Sequence, residues 1–364
     1  MLKRVSFSIF LIGFLIFGGL SLNYLQANSF FRYLQKNQIE YKLPFLDFIY
    51  DEKSFLAVGD VSYSRAVERA VKNRDNLYYP FEKTKAEILK ADFAFANLET
   101  TIMDGRPIMD NEMVFRSNIS TSEVLKNVGF DLVSLANNHT PDFREKGIVE
   151  TIMNLDNQNI LHSGLGLNLQ DSLKPTVLEV DGYKLAIISF LDPAFVPKSY
   201  GATANSAGTA FMSFENLETS MSLAKESAEL VFVSMHAGNE YVNKPNKFQI
   251  DFARKAIDLG AEVVIGHHPH VVQSMEKYKG KYIFYSLGNF VFDQPFSFNT
   301  KAGIMLKLNF NILGVRSVEL LPYFMHNFVQ PEFVEGDLAD KILKQLNYDF
   351  SKDLNVKPVS PVSN

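Results

Sequence analysis

Residues 262–293, EVVIGHHPHVVQSMEKYKGKYIFYSLGNFVFD, hold an apolar run that ends in a cluster of three histidines. The run is typical of a buried β-strand, and Pro269 stops helix formation and bends the chain after it. We therefore expect His268 and His270, which are two residues apart, to point to one side, with His267 beside them. Because neutral imidazole is the commonest protein ligand of transition metals, the cluster predicts a metal site.

Polar residues also follow four apolar runs upstream of this cluster. Two runs end in acids, Asp60 in FLAVGD and Glu99 in FAFANLE, and two end in histidines, His139 in SLANNHTPD and His236 in VFVSMHAGNEY. The carboxyl ends of strands in an open α/β sheet converge on one crevice. Each cluster alone is also consistent with a helix cap or a turn. Together they predict a metal site assembled from five strand ends.

The segment ANNHTPD offers several groups in one turn. Asn137 and Asn138 supply amide oxygens beside the imidazole of His139, and Asp142 follows closely. One of these groups can bind a metal while His139 acts as an acid for a leaving oxygen. The alternative is a capping turn in which His139 only bonds to the backbone.

Further polar residues accompany the other clusters. Asn97 lies on the same face of an extended segment as Glu99. Glu240 is placed to orient the second ring nitrogen of His236, as carboxylates near metal ligands commonly do. Asn289, in the turn that precedes Asp293, lines the same crevice or belongs to a plain tight turn.

The globular body reads as one mixed α/β domain, because strand-like runs alternate with helical periodicity. PTVLEVDGYKLAIISF predicts a hairpin, and KYIFYSLGNFVF, GIMLKLNF and VRSVELLPYF predict three strands of an antiparallel sheet. This domain is assigned to residues 54–330. Residues 331–364 are predicted to form a C-terminal helix and a tail.

The N-terminus predicts export of that body. An uncharged, largely apolar run over residues 5–22 follows Lys3 and Arg4. Its length favours a single membrane-spanning helix within residues 1–27, and a cleaved signal segment is the alternative. The two cations would keep the N-terminus in the cytoplasm, so the main domain is expected outside it, periplasmic or extracellular. Residues 28–53 form the predicted juxtamembrane segment.

The amino-acid composition limits the possible metal ligands and the possible binding partners. The chain has no cysteine, which excludes disulfides and leaves only nitrogen and oxygen ligands for a metal. Its 36 basic and 41 acidic residues give a formal net charge of -5, and no basic stripe is present. This pattern argues against nucleic acid as a partner.

The segments FLAVGDV, FAFANLETTI, LVSLANNHTPD and VSMHAGNEY, with the stretch from residue 263 to residue 294, resemble the CapA-like proteins of poly-γ-glutamate capsule biosynthesis. That family is similar to the calcineurin-like metallophosphoesterases, so the resemblance implies a four-layer α/β/β/α sandwich. It also implies one or two divalent ions (Mn, Fe or Zn), with His139 as the proton donor. The implied metal ligands are Asp60, Glu99, Asn138, His236, His268 and His270.

The chain departs from the phosphoesterase and capsule-family patterns at several positions. Ser62 stands where the first motif usually has a histidine, Glu99 where an aspartate is usual, and Ala237 where the capsule family usually has tryptophan. A missing imidazole puts the second metal position in doubt. We expect one ion held tightly and one held weakly.

The resemblance implies a membrane-anchored protein that makes or exports a capsule or a similar anionic polymer, as part of a capsule synthesis complex. Its site would act on a phosphoester or an amide-like carbonyl. Two alternatives stay open. One is a non-catalytic subunit that binds metal and polymer, and the other is a general exported metallophosphodiesterase.

Overall fold

The computed structural model describes residues 51–180, 182–327 and 329–359. The predicted membrane segment, residues 1–27, and most of the predicted juxtamembrane segment lie outside this described part. No helix within the described ranges combines the length and the apolar character needed to span a bilayer. Membrane anchoring therefore stays a prediction.

The described strands, in chain order, are β1 (Lys53–Val61), β2 (Phe93–Leu98), β3 (Thr101–Ile102), β4 (Arg116–Ser117), β5 (Leu132–Ser134), β6 (Leu161–Ser163), β7 (Leu165–Gly166), β8 (Thr176–Val180), β9 (Tyr183–Leu191), β10 (Gly208–Thr209), β11 (Leu230–His236), β12 (Val263–His267), β13 (Met275–Tyr278), β14 (Lys281–Phe284), β15 (Asn289–Val291), β16 (Ala302–Asn311), β17 (Gly314–Met325), β18 (Pro331–Phe333) and β19 (Val356–Pro358). The described α-helices are α1 (Arg65–Asn73), α2 (Lys85–Ile88), α3 (Ser120–Val128), α4 (Arg144–Asp156), α5 (Leu169–Leu173), α6 (Phe214–Ser227), α7 (Lys247–Asp258), α8 (Phe298–Lys301) and α9 (Gly336–Leu343). Short 3-10 turns lie at Tyr79–Phe81, Pro193–Phe195, Lys198–Tyr200, Lys344–Leu346 and Phe350–Lys352.

These strands build two large sheets. The first sheet has the order β18-β17-β16-β1-β2-β5-β6, with β15 paired to the end of β1 and β19 paired to β17. The second sheet has the order β13-β14-β12-β11-β9-β8. In each sheet a parallel set, β1-β2-β5-β6 or β9-β11-β12-β14, carries antiparallel neighbours. The predicted hairpin is the β8–β9 pair, and β16 and β17 pair antiparallel as predicted.

Three apolar cores hold the layers together. One lies between the two sheets, and one lies between each sheet and its outer helices. Side chains alternate along β1, so Phe55 and Ala57 face the second sheet while Leu56 and Val58 face helices on the outer side. In the inter-sheet core, the rings of Phe55 and Phe232 lie 5.1 Å apart, edge to face. Helices α1, α3 and α4 cover the first sheet, and α6 and α7 cover the second. The predicted α/β class is therefore confirmed, and the layers run α/β/β/α.

Helix α7 shows how the sequence fixes one of these outer layers. Asn246 and Gln249 form a reciprocal capping box that begins the helix. Its buried face includes Phe252, Ala253 and Ala256, which join the core on the outer side of the second sheet. Gln249 also donates to the carbonyl of Ala237 at 3.0 Å, so the start of α7 supports the loop that follows His236.

The prediction of one strand over KYIFYSLGNFVF is wrong. The segment forms β14 in the second sheet and β15 in the first, and residues 285–288 cross between them. Gly288 has φ +80, and a Cβ on Gly59 would lie 1.8 Å from the carbonyl oxygen of Gly288. Two glycines therefore let the crossing chain lie against β1.

Residues 331–359 belong to the same compact body. Ile342 and Leu343 of α9 are buried in the inter-sheet core, and β19 adds a parallel strand to β17.

Candidate metal centre

Strand register brings the predicted polar residues to one end of both sheets. In the first sheet Asp60 is the register partner of Asn97 on one side and of Asn289 on the other. In the second sheet His236 pairs with His267. The site therefore forms where the carboxyl ends of parallel strands from the two sheets meet, whereas the sequence predicts convergence at the strand ends of one open sheet.

Two carboxylates lie at the centre of the site. Asp60 and Glu99 are both 0% exposed. The amide nitrogen of Asn97 donates to Asp60 Oδ1 at 2.8 Å and approaches Glu99 Oε2 at 3.4 Å. Asp60 Oδ2 and Glu99 Oε1 have no hydrogen-bond partner among the described residues. Ionised oxygens buried in this way are costly unless a cation compensates them.

His270 lies between these carboxylates. Its Nδ1 is 3.3 Å from Asp60 Oδ2, and its Nε2 is 3.8 Å from Glu99 Oε1. Donor atoms of Asp60, Glu99 and His270 all lie within 4.8 Å of one another. Asn289 Oδ1 contacts His270 Nδ1 at 2.8 Å and so orients the ring. These three donors fit one divalent ion.

The other two histidines of the cluster are buried and form no hydrogen bond with the described residues. Both ring nitrogens of His267 and both of His268 lack a hydrogen-bond partner in the described part of the chain. His267 Nδ1 lies 3.5 Å from Asp60 Oδ1. His268 and His270 have φ values of 98° and 57°, in the left-handed region that only glycine adopts easily. Such backbone conformations cluster at functional sites.

His236, at the end of β11 in the second sheet, contacts Asn138, in the turn that follows β5 of the first sheet. His236 Nε2 lies 2.7 Å from Asn138 Oδ1, and its Nδ1 lies 3.2 Å from Asn97 Nδ2. Since the Asn97 amide nitrogen is a donor, the Nε2 of His236 carries the proton that Asn138 accepts. The two predicted ligands converge on one point next to His268, whose ring centroid is 4.7 Å from that of His236.

His139 is held by two neighbours. Its Nδ1 lies 2.8 Å from Asp142 Oδ2, and its Nε2 lies 3.9 Å from Glu99 Oε1. The ring of Phe115 stacks on the imidazole at 3.7 Å and 16°. Asp142 therefore fixes the tautomer and leaves Nε2 facing the centre.

Asn137 stabilises the turn through its side-chain hydrogen bonds. Its side-chain oxygen accepts from the backbone nitrogens of His139 and Thr140, and its nitrogen donates to the Leu98 carbonyl at 2.8 Å. It therefore shapes the loop that presents Asn138 and His139.

Charges shift the pKa values inside the centre. Burial raises the pKa of Glu99 well above its ordinary value. Burial also opposes ionisation of Asp60, but the nearby imidazoles of His267 and His270 outweigh it and hold the pKa of Asp60 low. Burial disfavours the charged form of His270, yet Glu99 and Asp60 raise its pKa to about 9. In the absence of an ion, protonated His270 thus compensates the charge of Asp60.

The pKa values of the imidazoles farther from the carboxylates are lowered. Burial lowers the pKa of His268 to about 3 and holds the pKa of His236 well below its ordinary value. Both rings are therefore neutral at physiological pH, the form that binds a metal.

A cleft of about 350 Å³ opens beside the centre, with His139, Glu240 and His270 in its wall. Arg65 also lines it and forms an ion pair with Asp293, with Nε 3.0 Å from Oδ2. The Arg65 guanidinium lies 4.2 Å above the Phe115 ring, which continues the stack onto His139. Sequence reasoning missed Arg65 and Phe115, because one begins an ordinary-looking helix and the other lies in a loop without a motif.

The sequence that forms this fold and this carboxylate–imidazole centre matches a family profile. The chain belongs to the family described as bacterial capsule synthesis protein PGA_cap, whose profile matches residues 54–294. The predicted resemblance is thereby confirmed.

Two relatives carry names from the same process. The chain is 32% identical over 303 residues to the capsule biosynthesis protein CapA of Bacillus anthracis, covering 81% of this chain and 73% of the relative. It is also 32% identical over 298 residues to the PGA biosynthesis protein CapA of Bacillus subtilis strain 168, covering 80% and 77%.

Solved structures resemble the chain more distantly. The calcineurin-like phosphoesterase YfkN from Bacillus subtilis aligns with a TM-score of 0.45 at 11% identity, covering 81% of this chain and 96% of that one. A sulfate thiohydrolase, SoxB, aligns with a TM-score of 0.41 at 15% identity, covering 86% and 52%.

Proposed function

We propose that this chain is a membrane-anchored protein of capsule biosynthesis or export, of the poly-γ-glutamate type, with a metal-dependent hydrolase-like site. Its family and the names of its relatives support the capsule role. The observation that carries the site is the set of buried carboxylate and imidazole atoms that lack hydrogen-bond partners beside a cleft.

The donors suit a divalent transition metal. Oxygen and nitrogen ligands without thiolates fit Mn, Fe or Zn. Asp60, Glu99 and His270 would hold an ion, and Asn138, His236 and His268 lie next to them. When bound, the ion supplies positive charge that activates a phosphoester or an amide-like carbonyl.

His139 is proposed to move a proton. Its imidazolium form would donate from Nε2 to the leaving oxygen, while Asp142 holds Nδ1–H at 2.8 Å and stabilises the charge. Phe115 keeps the ring plane fixed against the wall of the cleft. These residues place one acid at the edge of the centre.

A non-catalytic subunit that binds metal and polymer is the second candidate. Two observations favour it. Ser62 is 4% exposed and offers no imidazole to the centre, and Arg65, the one lysine or arginine among the described residues of the cleft wall, is neutralised by Asp293. An incomplete ligand set would bind an anionic polymer through the ion without breaking it.

The full-length protein in detergent, loaded with Mn²⁺, separates these functions. We would measure metal content, hydrolysis of a generic phosphodiester and shortening of poly-γ-glutamate. Turnover that His139→Gln abolishes while metal content stays the same supports the hydrolase. Metal binding without turnover supports the assembly role, and turnover of phosphodiesters by a protein that cannot restore capsule in a deletion strain supports a general phosphodiesterase. A chain that binds no metal contradicts the site.

Localisation is proposed from the N-terminal pattern alone. The uncharged run over residues 5–22 after two cations would anchor the chain in the cell membrane with the main domain outside the cytoplasm. Digestion of intact spheroplasts by external protease, with a cytoplasmic protein as control, tests this orientation. Full protection of the main domain would contradict it.

A further inference from the structure

We infer that the carboxylate of Glu240 is itself a metal ligand, forming with His268 a cation position that faces the cleft beside His270. This inference rests on the proposed metal centre and gives Glu240 a direct role, whereas the sequence suggested only that it orients His236. Donor atoms of these three residues all lie within 4.8 Å of one another. Metal–ligand distances of about 2.1 Å place two ligands of a tetrahedral site roughly 3.4 Å apart, so small side-chain rotations close the set.

Backbone contacts hold Glu240 next to the histidine cluster. The Tyr241 nitrogen donates to the Pro269 carbonyl at 2.8 Å, and the Ala237 nitrogen donates to the His267 carbonyl at 3.0 Å. Gly238 in the same loop has φ +112, and a Cβ there would lie 2.5 Å from the Gln249 side-chain oxygen. The loop is therefore fixed at both ends against the cluster. Glu240 is near the imidazoles because of this architecture rather than through a chance rotamer of a long side chain.

His268 supplies the second, independent observation. It is 2% exposed, and neither ring nitrogen has a hydrogen-bond partner among the described residues. The rings of Phe195 and His236 pack on it, each with a centroid 4.7 Å away, but neither contact satisfies a nitrogen. Leaving such a buried group unpaired destabilises the fold. A cation between His268 and Glu240 would give one of these nitrogens a partner.

The proposed ion position also supplies positive charge, which the cleft lacks. Glu240 is exposed in the wall that His139 and His270 share, whereas Asp60 and Glu99 lie fully buried behind. Because Arg65 is paired with Asp293, the wall offers an anionic group little free positive charge. An ion held by Glu240 would present that charge at the surface that a substrate reaches.

The test is Mn²⁺ binding to the full-length protein, measured by calorimetry and by electron paramagnetic resonance. Three variants are compared with the wild type: Glu240→Gln, Glu240→Asp, and Glu226→Gln as an exposed control on α6. Removal of a direct ligand should weaken at least one Mn²⁺ site by about 10-fold or more, as changes even beyond the ligands often do. Glu240→Asp should weaken the same site, because its carboxylate keeps the charge but is one methylene too short.

The outcomes separate ligation from other roles. Weakened binding in both Glu240 variants, with an altered Mn²⁺ spectrum and an unchanged control, supports the inference. Wild-type affinity, stoichiometry and spectrum in Glu240→Gln would overturn it. Weakening in Glu240→Gln alone, with Glu240→Asp like the wild type, would also overturn it by showing only an effect of charge. Absence of Mn²⁺ binding in the wild type would instead contradict the metal centre of the proposed function.

Discussion

Thermal unfolding of the full-length protein with and without Mn²⁺ tests the central physical claim. That claim is that the buried carboxylate oxygens and imidazole nitrogens without hydrogen-bond partners bind a cation. An ion that binds only the folded state stabilises it by about 2.7 kcal/mol at a concentration of 100 times its Kd. In a large domain each kcal/mol raises Tm by about 2–4 °C. We therefore expect Mn²⁺ to raise Tm by roughly 5–10 °C over the protein in EDTA.

Glu99→Gln should remove most of this gain, because it takes away one of the three central donors. In EDTA the variant should be no less stable than the wild type. Burial raises the pKa of Glu99, so its ionised form destabilises the ion-free protein as pH rises above about 4.3, its unfolded value. Differential scanning fluorimetry at pH 8 measures both effects.

Glu87→Gln is the matched control. Glu87 is also a buried glutamate, 8% exposed, but it accepts from Lys90 at 2.8 Å and lies outside the centre. Its variant should keep the full Mn²⁺ gain. An equal gain in Glu99→Gln, or a marked loss of its stability in EDTA, would refute the reasoning.

Three further predictions follow from the same geometry. Mn²⁺ binding should displace the proton of His270, whose pKa is about 9, so affinity should rise from pH 6.5 to 9. Calorimetry in two buffers at pH 7.5 should show release of at least about one proton, because burial also raises the pKa of Glu99. Constant affinity over that range would contradict this. Asp142→Asn should lower any phosphodiester turnover by about 100-fold with metal content unchanged, since it disturbs the tautomer of His139; wild-type kcat would remove Asp142 from the mechanism. Gly59→Ala should destabilise the fold by several kcal/mol, because its Cβ would lie 1.8 Å from a backbone oxygen, and a Tm within 2 °C of the wild type, roughly 1 kcal/mol or less, would show that the contact relaxes.

Strand ends could be predicted because each one combines a continuous apolar run with an abrupt polar cluster. The runs before Asp60, His236 and His267 are buried strands, and parallel strands necessarily bring their ends to the same edge. The convergence of strand ends within each sheet therefore follows from local patterns, whereas the meeting of Asp60 in the first sheet with His236 and His267 in the second depends on how the two sheets pack. The metal-ligand roles of these residues stay predictions.

Contacts between distant loops could not be read from such patterns. The stack of Arg65, Phe115 and His139 joins a helix start, a long loop and a turn, and none of the three carries a sequence signal for the others. The sheet change before Asn289 was also invisible. An apolar segment has the same sequence pattern whether it continues in one sheet or crosses to its neighbour. The packing of Gly59 against Gly288 determines which of the two occurs.

That crossing couples the centre to the whole sandwich. His270 follows the second sheet, Asn289 belongs to the first, and their side chains meet at 2.8 Å. The Asn289 carbonyl is in turn held by Tyr323 Oη at 2.8 Å, deep in the first sheet. Sliding of one layer over the other would pull this pair apart and disperse the donors. Loss of the ion and separation of the two layers should therefore be a single cooperative event, because the cation would link residues of both sheets.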